Sequence, residues 1–287
     1  MIRLSRWGDF ALLVSGRNMR ILTSLLPQLM VDESESVDIA VVVDVLRATS
    51  VMTTALESGA NQIYTCCEIS EAKNLSDRLA RANRSARKPL LCGERKCRAI
   101  EGFDFGNSPA EYVPETVLDQ ILVMTTTNGT KAIEAASSAK KVIAASFLNL
   151  PKVVDFLRGA RTVHVVCAGT DGRITAEDVL LAGAIIDACR VEYQAAIQDD
   201  DSQLAMSLWL SSFSVQDGTP WTTYQQGHGA WLSDSLANRF SQTLGGTNLT
   251  KLGLGEDLSR CAQIGTKSAI AVRVRRNPTV FELLANH

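Results

Sequence analysis

Residues 39–50 read IAVVVDVLRATS: five apolar residues, then Asp44, Val45, Leu46 and Arg47, then the small and hydroxylated trio Ala48, Thr49 and Ser50. An apolar run without alternation is what a strand shows when both of its faces are covered, which is the situation inside a parallel sheet. The polar turn after it leads into helical periodicity at 50–58. The same order of short apolar run, polar turn and amphipathic stretch recurs along the chain. Strands are predicted at 62–65, 89–93, 121–126, 142–146, 163–168 and 269–274, and helices at 70–82, 130–139, 150–158, 175–189, 203–212, 230–243 and 256–264. Alternation of this kind predicts an α/β fold, a three-layer α/β/α sandwich around a mostly parallel sheet. The runs at 41–44 and 163–167 echo each other, an echo compatible with two related halves.

Residues 1–18 are read as a tail without assigned role, and 19–287 as a single α/β domain with its first ordered segment at 19–26. A helical, lid-like insertion is expected near 195–245, with a surface loop at 217–229 where Gly, Ser, Thr and Gln concentrate.

The 287 residues are 46% hydrophobic, enough for a large core without disulfides. The 29 basic and 31 acidic side chains nearly cancel. With no run of five or more like charges, nucleic acid is not an expected partner. No apolar stretch approaches a membrane span, and Arg3, Arg6 and Asp9 interrupt any signal-peptide core, so a cytoplasmic protein is expected, a homo-oligomer being compatible with this. Seven scattered cysteines without a CxxC pair suit a reducing compartment. Three histidines are too few for a sulfur–imidazole zinc site, whereas abundant carboxylates and hydroxyls favour a hard ion such as Mg²⁺.

Four polar segments follow predicted strands, where ligands of open α/β sheets bind. In 43–50, Asp44 can coordinate a metal and Arg47 can fork onto an oxyanion, while Thr49 and Ser50 either face that anion or simply cap the helix. In 92–109, Arg95 can bind an anion while Glu94 steers a metal or proton, with Asn107 and Ser108 close by; a loop stitched by salt bridges is the plainer alternative. In 124–130, Thr126, Thr127, Asn128 and Gly129 can cradle an oxyanion at a helix start. In 167–178, Gly169 allows close backbone approach and Glu177 and Asp178 are candidate metal ligands, although acidic residues also favour helix N-termini for dipole reasons. Cys167 is better read as a buried thiol than as a nucleophile. Together the four segments describe a pocket for a compact, multiply charged oxyanion.

Read in order, DVLRATS (44–50), GER (93–95) followed by GFDFGNSP (102–109), TTTNGT (125–130) and CAGTDGRITAEDVLLAG (167–183) resemble the 2-phosphosulfolactate phosphatase family. A weaker similarity continues through 248–274, carried by Leu249, Gly253 and Asp257, while Gly265-Thr266 stands where an acidic residue would be expected. The resemblance implies a Mg²⁺-dependent phosphatase that converts 2-phosphosulfolactate, or a related phosphorylated hydroxy acid, into sulfolactate and phosphate, a step of coenzyme M synthesis. Asp44 would hold the metal or act as nucleophile, with Arg47, Glu94 and Arg95 as its catalytic companions. The DxD arrangement of haloacid-type phosphatases is missing, since position 46 is Leu46, and the absence of Walker and GxGxxG motifs argues against nucleotides. The alternative from another class is a non-catalytic sensor of a small anionic metabolite.

Overall fold

The computed structural model describes residues 19–30, 37–82 and 87–284, so the predicted tail at 1–18 lies outside the described residues. Its strands are β1 (Arg20–Ser24), β2 (Ile39–Val43), β3 (Gln62–Thr65), β4 (Leu90–Arg95), β5 (Arg98–Ala99), β6 (Ile121–Thr125), β7 (Lys141–Ala145), β8 (Thr162–Cys167), β9 (Ala196–Ile197), β10 (Ala271–Arg276) and β11 (Thr279–Leu283). Its helices are α1 (Ala48–Glu57), α2 (Ile69–Ala82), α3 (Pro114–Val117), α4 (Gly129–Ala135), α5 (Leu150–Leu157), α6 (Ala176–Tyr193), α7 (Asp200–Ser211), α8 (Pro220–Thr223), α9 (Gly229–Phe240), α10 (Leu244–Lys251) and α11 (Glu256–Cys261).

The strands form one mixed, mostly parallel sheet in the order β5-β4-β6-β3-β11-β10-β7-β2-β8-β1-β9. β2 shows why its sequence lacks alternation. Ile39, Val41 and Val43 point into a core shared with α5 and α6, while Ala40 and Val42 point into a second core shared with α1 and α4. Both faces of the strand are therefore dry, and the layers are helix, sheet, helix. α6 is buried from Glu177 to Cys189, because α7 and α8 cover the side that the sheet does not.

The β10–β11 hairpin, inserted between β7 and β3, changes the sense of the sheet. Three successive pairings (β7 with β10, β10 with β11, β11 with β3) are antiparallel. An odd number of reversals leaves β3, β6 and β4 running opposite to β7, β2, β8, β1 and β9. The sheet is thus two parallel blocks of opposite sense joined by a hairpin. The echoing segments at 41–44 and 163–167 fall in β2 and β8, neighbours within one block.

The 217–229 stretch, expected as a loop, is largely helical. Thr219 caps α8 by accepting a hydrogen bond from Thr222 N, and α8 runs through a π-helical turn at Tyr224–His228 towards α9. Trp221 N and Trp209 Nε1 both donate to the buried Asp187 Oδ2, each at 3.0 Å, which ties this segment and α7 to α6.

Candidate functional site

The turn after β2 is built by its own side chains. Thr49 Oγ1 donates to Asp44 O and accepts from Asp44 N, and Ser50 Oγ donates to Val45 O. These two hydroxyls, expected either to face an anion or to cap the helix, close the turn instead and are 1% and 0% exposed. What they hold in place is Asp44, whose Oδ1 accepts from Ala48 N at 3.2 Å. Gly129, the first residue of α4, packs on the other side: a Cβ there would lie 2.8 Å from Asp44 Oδ2. The loops after β2 and β6 therefore meet at Asp44, although their strands belong to blocks of opposite sense.

Asp44 lines a cavity of about 510 Å³ with Arg47, Glu94, Asn107, Thr127 and Asn128, all of them expected from the sequence. Its wall also includes Leu46, Lys96, Cys97, Thr170, Asp171, Gly245, Asn248, Lys251 and Leu252. Burial foremost, reinforced by the neighbouring charges of Glu94 and Glu177, pushes the Asp44 carboxyl up from 3.8 to about 7. The Ala48 N–H and Arg47 oppose that rise.

Arg47 is 4% exposed and already engaged: Nη1 donates to Asp257 Oδ2 at 2.6 Å and Nη2 to Cys97 O at 3.3 Å. Ser108 Oγ donates to the other oxygen of Asp257 at 2.7 Å, so Ser108 acts on the site through this clamp and does not line the cavity. Glu94 accepts from Cys97 N and Thr127 N, each at 2.8 Å, which staples the β4–β5 turn to the loop after β6. Arg95 faces elsewhere. It donates to Glu94 O, Cys67 O and Thr125 Oγ1 and is absent from the cavity wall.

Thr126 receives the Thr130 N–H on its hydroxyl and stays beneath the surface of the pocket. Asn128 Oδ1 accepts from Asp171 N at 3.2 Å, bridging to the loop after β8. Gly169, at φ +64°, would place a Cβ 2.4 Å from Arg173 O; no side chain fits there. Its N–H donates to Asp178 Oδ2, and Val45 N donates to Asp178 Oδ1. Asp178 is thus the fully buried anchor of two loops, and burial together with the charges of Asp44 and Glu177 raises its carboxyl well above the usual range. Glu177 lies directly behind Gly245, its carboxyl also raised chiefly by burial.

Three buried atoms around the pocket have no hydrogen-bond partner: Asn107 Oδ1, Thr127 Oγ1 and Glu177 Oε2. Unpaired buried polar atoms are costly; Asn107 and Thr127 line the cavity and Glu177 stands behind its wall at Gly245, which marks a place for a polar ligand. Among the described residues no three His, Cys, Asp or Glu side chains are grouped to hold a metal as a closed cage. A hard divalent cation needs no cage, because it is satisfied by one or two carboxylates, water and the substrate's own oxygens. Asp44, with the unpartnered Glu177 Oε2 behind it, fits such an ion, whereas both oxygens of Asp178 are taken by backbone N–H groups. Cys167 is buried, with its thiol pushed well above its ordinary range, and it does not line the cavity.

Sequence reading missed the contribution of 244–252 and the use made of Asp257. The Gly-Gly-Thr-Asn composition of 245–248 reads as loop, yet Thr243 caps α10 by accepting from Gly246 N.

A family profile described as 2-phosphosulpholactate phosphatase matches residues 25–275. Proteins named probable 2-phosphosulfolactate phosphatase from Thermotoga petrophila and Thermotoga maritima are each 46% identical over 147 residues, 51% of this chain and 60% of the relative. One of the same name from Symbiobacterium thermophilum is 36% identical over 235 residues, 82% of this chain and 90% of the relative. The chain thus spans 60% of the length of the two Thermotoga proteins and nearly all of the third.

Proposed function

The chain belongs to the 2-phosphosulpholactate phosphatase family, and from that membership and the chemistry of its cavity we propose that it hydrolyses a small phosphate monoester of a hydroxy acid, 2-phosphosulfolactate first among them. The observation that carries this reading is the pairing of a buried carboxylate, Asp44, with a clamped guanidinium, Arg47, on one wall of a cavity that also holds the buried, unpaired Asn107 Oδ1 and Thr127 Oγ1.

Arg47 has its position set by Asp257 and Cys97 O, so its remaining N–H groups stabilise the transferring phosphoryl group without first having to be ordered. The Thr127 hydroxyl and the Nδ2 group of Asn107 complete the cradle as donors to phosphoryl oxygens. Asp44, in its ionised form, accepts the proton of the attacking water. The water oxygen bonds to phosphorus as the ester P–O bond breaks, the leaving alkoxide of the hydroxy acid takes a proton from solvent water, and Asp44 returns its proton to solvent. We propose Mg²⁺ as cofactor, held by Asp44 with Glu177 behind it; when bound it supplies Lewis-acid charge to the phosphoryl oxygens. Position 178, the third acidic candidate, serves the loops.

Phosphate release from 2-phosphosulfolactate, phospholactate, phosphoglycolate and p-nitrophenyl phosphate tests the substrate class. The expected order places the sulfonated ester first. Release from the other hydroxy-acid phosphates alone would retain the chemistry and reject the substrate, and no turnover of any ester would favour a non-catalytic anion sensor. Arg47→Ala should lower kcat/KM by about 2 to 4 orders of magnitude, the value of a preorganised charge-assisted contact to the transition state.

A further inference from the structure

Two lysines on the cavity wall are not used by the chemistry above. Lys96 sits in the two-residue turn between β4 and β5, where it and Cys97 both adopt left-handed backbone conformations (φ 53° and 62°). This tight hairpin turn is held by Cys97 N donating to Glu94 Oε2, so the catalytic wall itself fixes where Lys96 emerges. Lys251 ends α10. On that helix Gly245, Asn248 and Lys251 line the cavity on successive turns, followed by Leu252 just past its end, while Leu249, 1% exposed, is sunk in the core and sets the helix's rotation. Gly246 reinforces that setting, because a Cβ there would collide with Phe240 O.

The charges on the wall do not balance in favour of an anion. Asp44, Glu94 and Asp171 are acidic, and the positive charge of Arg47 is matched by Asp257 at 2.6 Å. Lys96 and Lys251 are exposed, and among the described residues neither forms an ion pair or a side-chain hydrogen bond. They are the two cations of this cavity left unmatched. We propose that Lys96 and Lys251 form the subsite for the part of the substrate that is not transferred, a compact chain bearing a carboxylate or sulfonate, and that they select acid-bearing esters over simple ones. This rests on reading the cavity as a phosphate-ester hydrolase, and it assigns the lysines to recognition rather than to bond breaking.

The product tests it separately from turnover. Calorimetric titration of the full chain in Mg²⁺ with sulfolactate and with inorganic phosphate compares wild type, the K96A/K251A double variant and K73A, which removes an equal charge from the exposed face of α2. Each lysine should be worth about tenfold in sulfolactate affinity. The double variant should therefore lose about 100-fold, at least about tenfold more than it loses for phosphate, while K73A stays within about twofold. In turnover of 2-phosphosulfolactate the loss should fall on KM, as expected for binding shared by ground and transition states. Wild type that binds no sulfolactate, or a double variant that binds it as tightly as wild type, overturns the subsite. Lysine-dependent sulfolactate binding without phosphate release from any ester would keep the subsite and remove the hydrolase reading.

Discussion

At Asp44 the ionised form is penalised by burial and by two neighbouring carboxylates, and this has a consequence for stability that is independent of turnover. Its carboxyl ionises near 3.8 in an unfolded chain and at about 7 in the folded one. Such a group adds no penalty below the lower value; as pH rises through the interval the unfolded chain gives up its proton first and stability is lost. Asp44→Asn keeps an oxygen for Ala48 N and removes the charge. In EDTA at pH 8 the variant should be more stable than wild type, on the order of 2 kcal/mol by denaturant melts, with the gap closing towards pH 4. A variant less stable at both pH values would contradict the burial account. Asp44 was legible in the sequence because an apolar run ended on it. That Arg95 would turn away was not, because two adjacent strand residues, Glu94 and Arg95, point to opposite faces and composition does not say which face holds the pocket.

Among the elements, α6 and α10 make contrasting predictions from the same kind of contact. Gly183 on α6 faces α7 so closely that a Cβ would lie 2.2 Å from Ala205 O and 2.6 Å from Trp209 Cβ, both fixed to the backbone of a neighbouring helix. Gly183→Ala should cost about 1 to 3 kcal/mol as the helices part, lowering Tm while leaving kcat/KM of the folded enzyme near wild type. Gly245 on α10 faces the carboxylate of Glu177, and a Cβ would meet Oε1 at 2.0 Å. Gly245→Ala should therefore lower kcat/KM as well as Tm, because the carboxylate displaced is the one proposed to stand behind Asp44; Tm and kinetics on both variants check the contrast. The small residues that let these elements approach also hid α10 from sequence reading, since a glycine pair weakens the apolar periodicity by which a helix is recognised. The strands β2, β6 and β7 were legible because each holds a run of four or more apolar residues; β5 and β9, two residues each, carry no pattern to read.

For the molecule as a whole, the alternation of strands and helices predicted three layers and a mostly parallel sheet, and the structure has both. The reversal of sense across the β10–β11 hairpin was out of reach, because strand order is set by contacts between distant segments that leave no local mark. The four candidate segments meet through loops from both blocks, tied by Glu94 to Thr127, Asn128 to Asp171 and Asp178 to Val45. Away from the site, His164 on β8 is buried with Nε2 2.8 Å from Ser24 Oγ on β1, and burial lowers its pKa from 6.5. Its contribution is fully present above 6.5 and is lost as pH falls through the folded value, because the unfolded chain takes up the proton first. Wild type should lose stability below pH 6.5 with a slope of at most about 1.4 kcal/mol per pH unit from this residue, a slope that His164→Gln should lack when melts are compared across pH 5 to 7. Among the described residues no helix is long and apolar enough to cross a membrane.

The most direct test of the central claim is phosphate release from 2-phosphosulfolactate by wild type and Asp44→Asn, each in Mg²⁺ and after EDTA, with folding verified in the same samples. The account predicts release by wild type in Mg²⁺, its loss in EDTA, and a fall of at least about two orders of magnitude in Asp44→Asn. Folded wild type that releases no phosphate, or Asp44→Asn that releases it as fast as wild type, would contradict it.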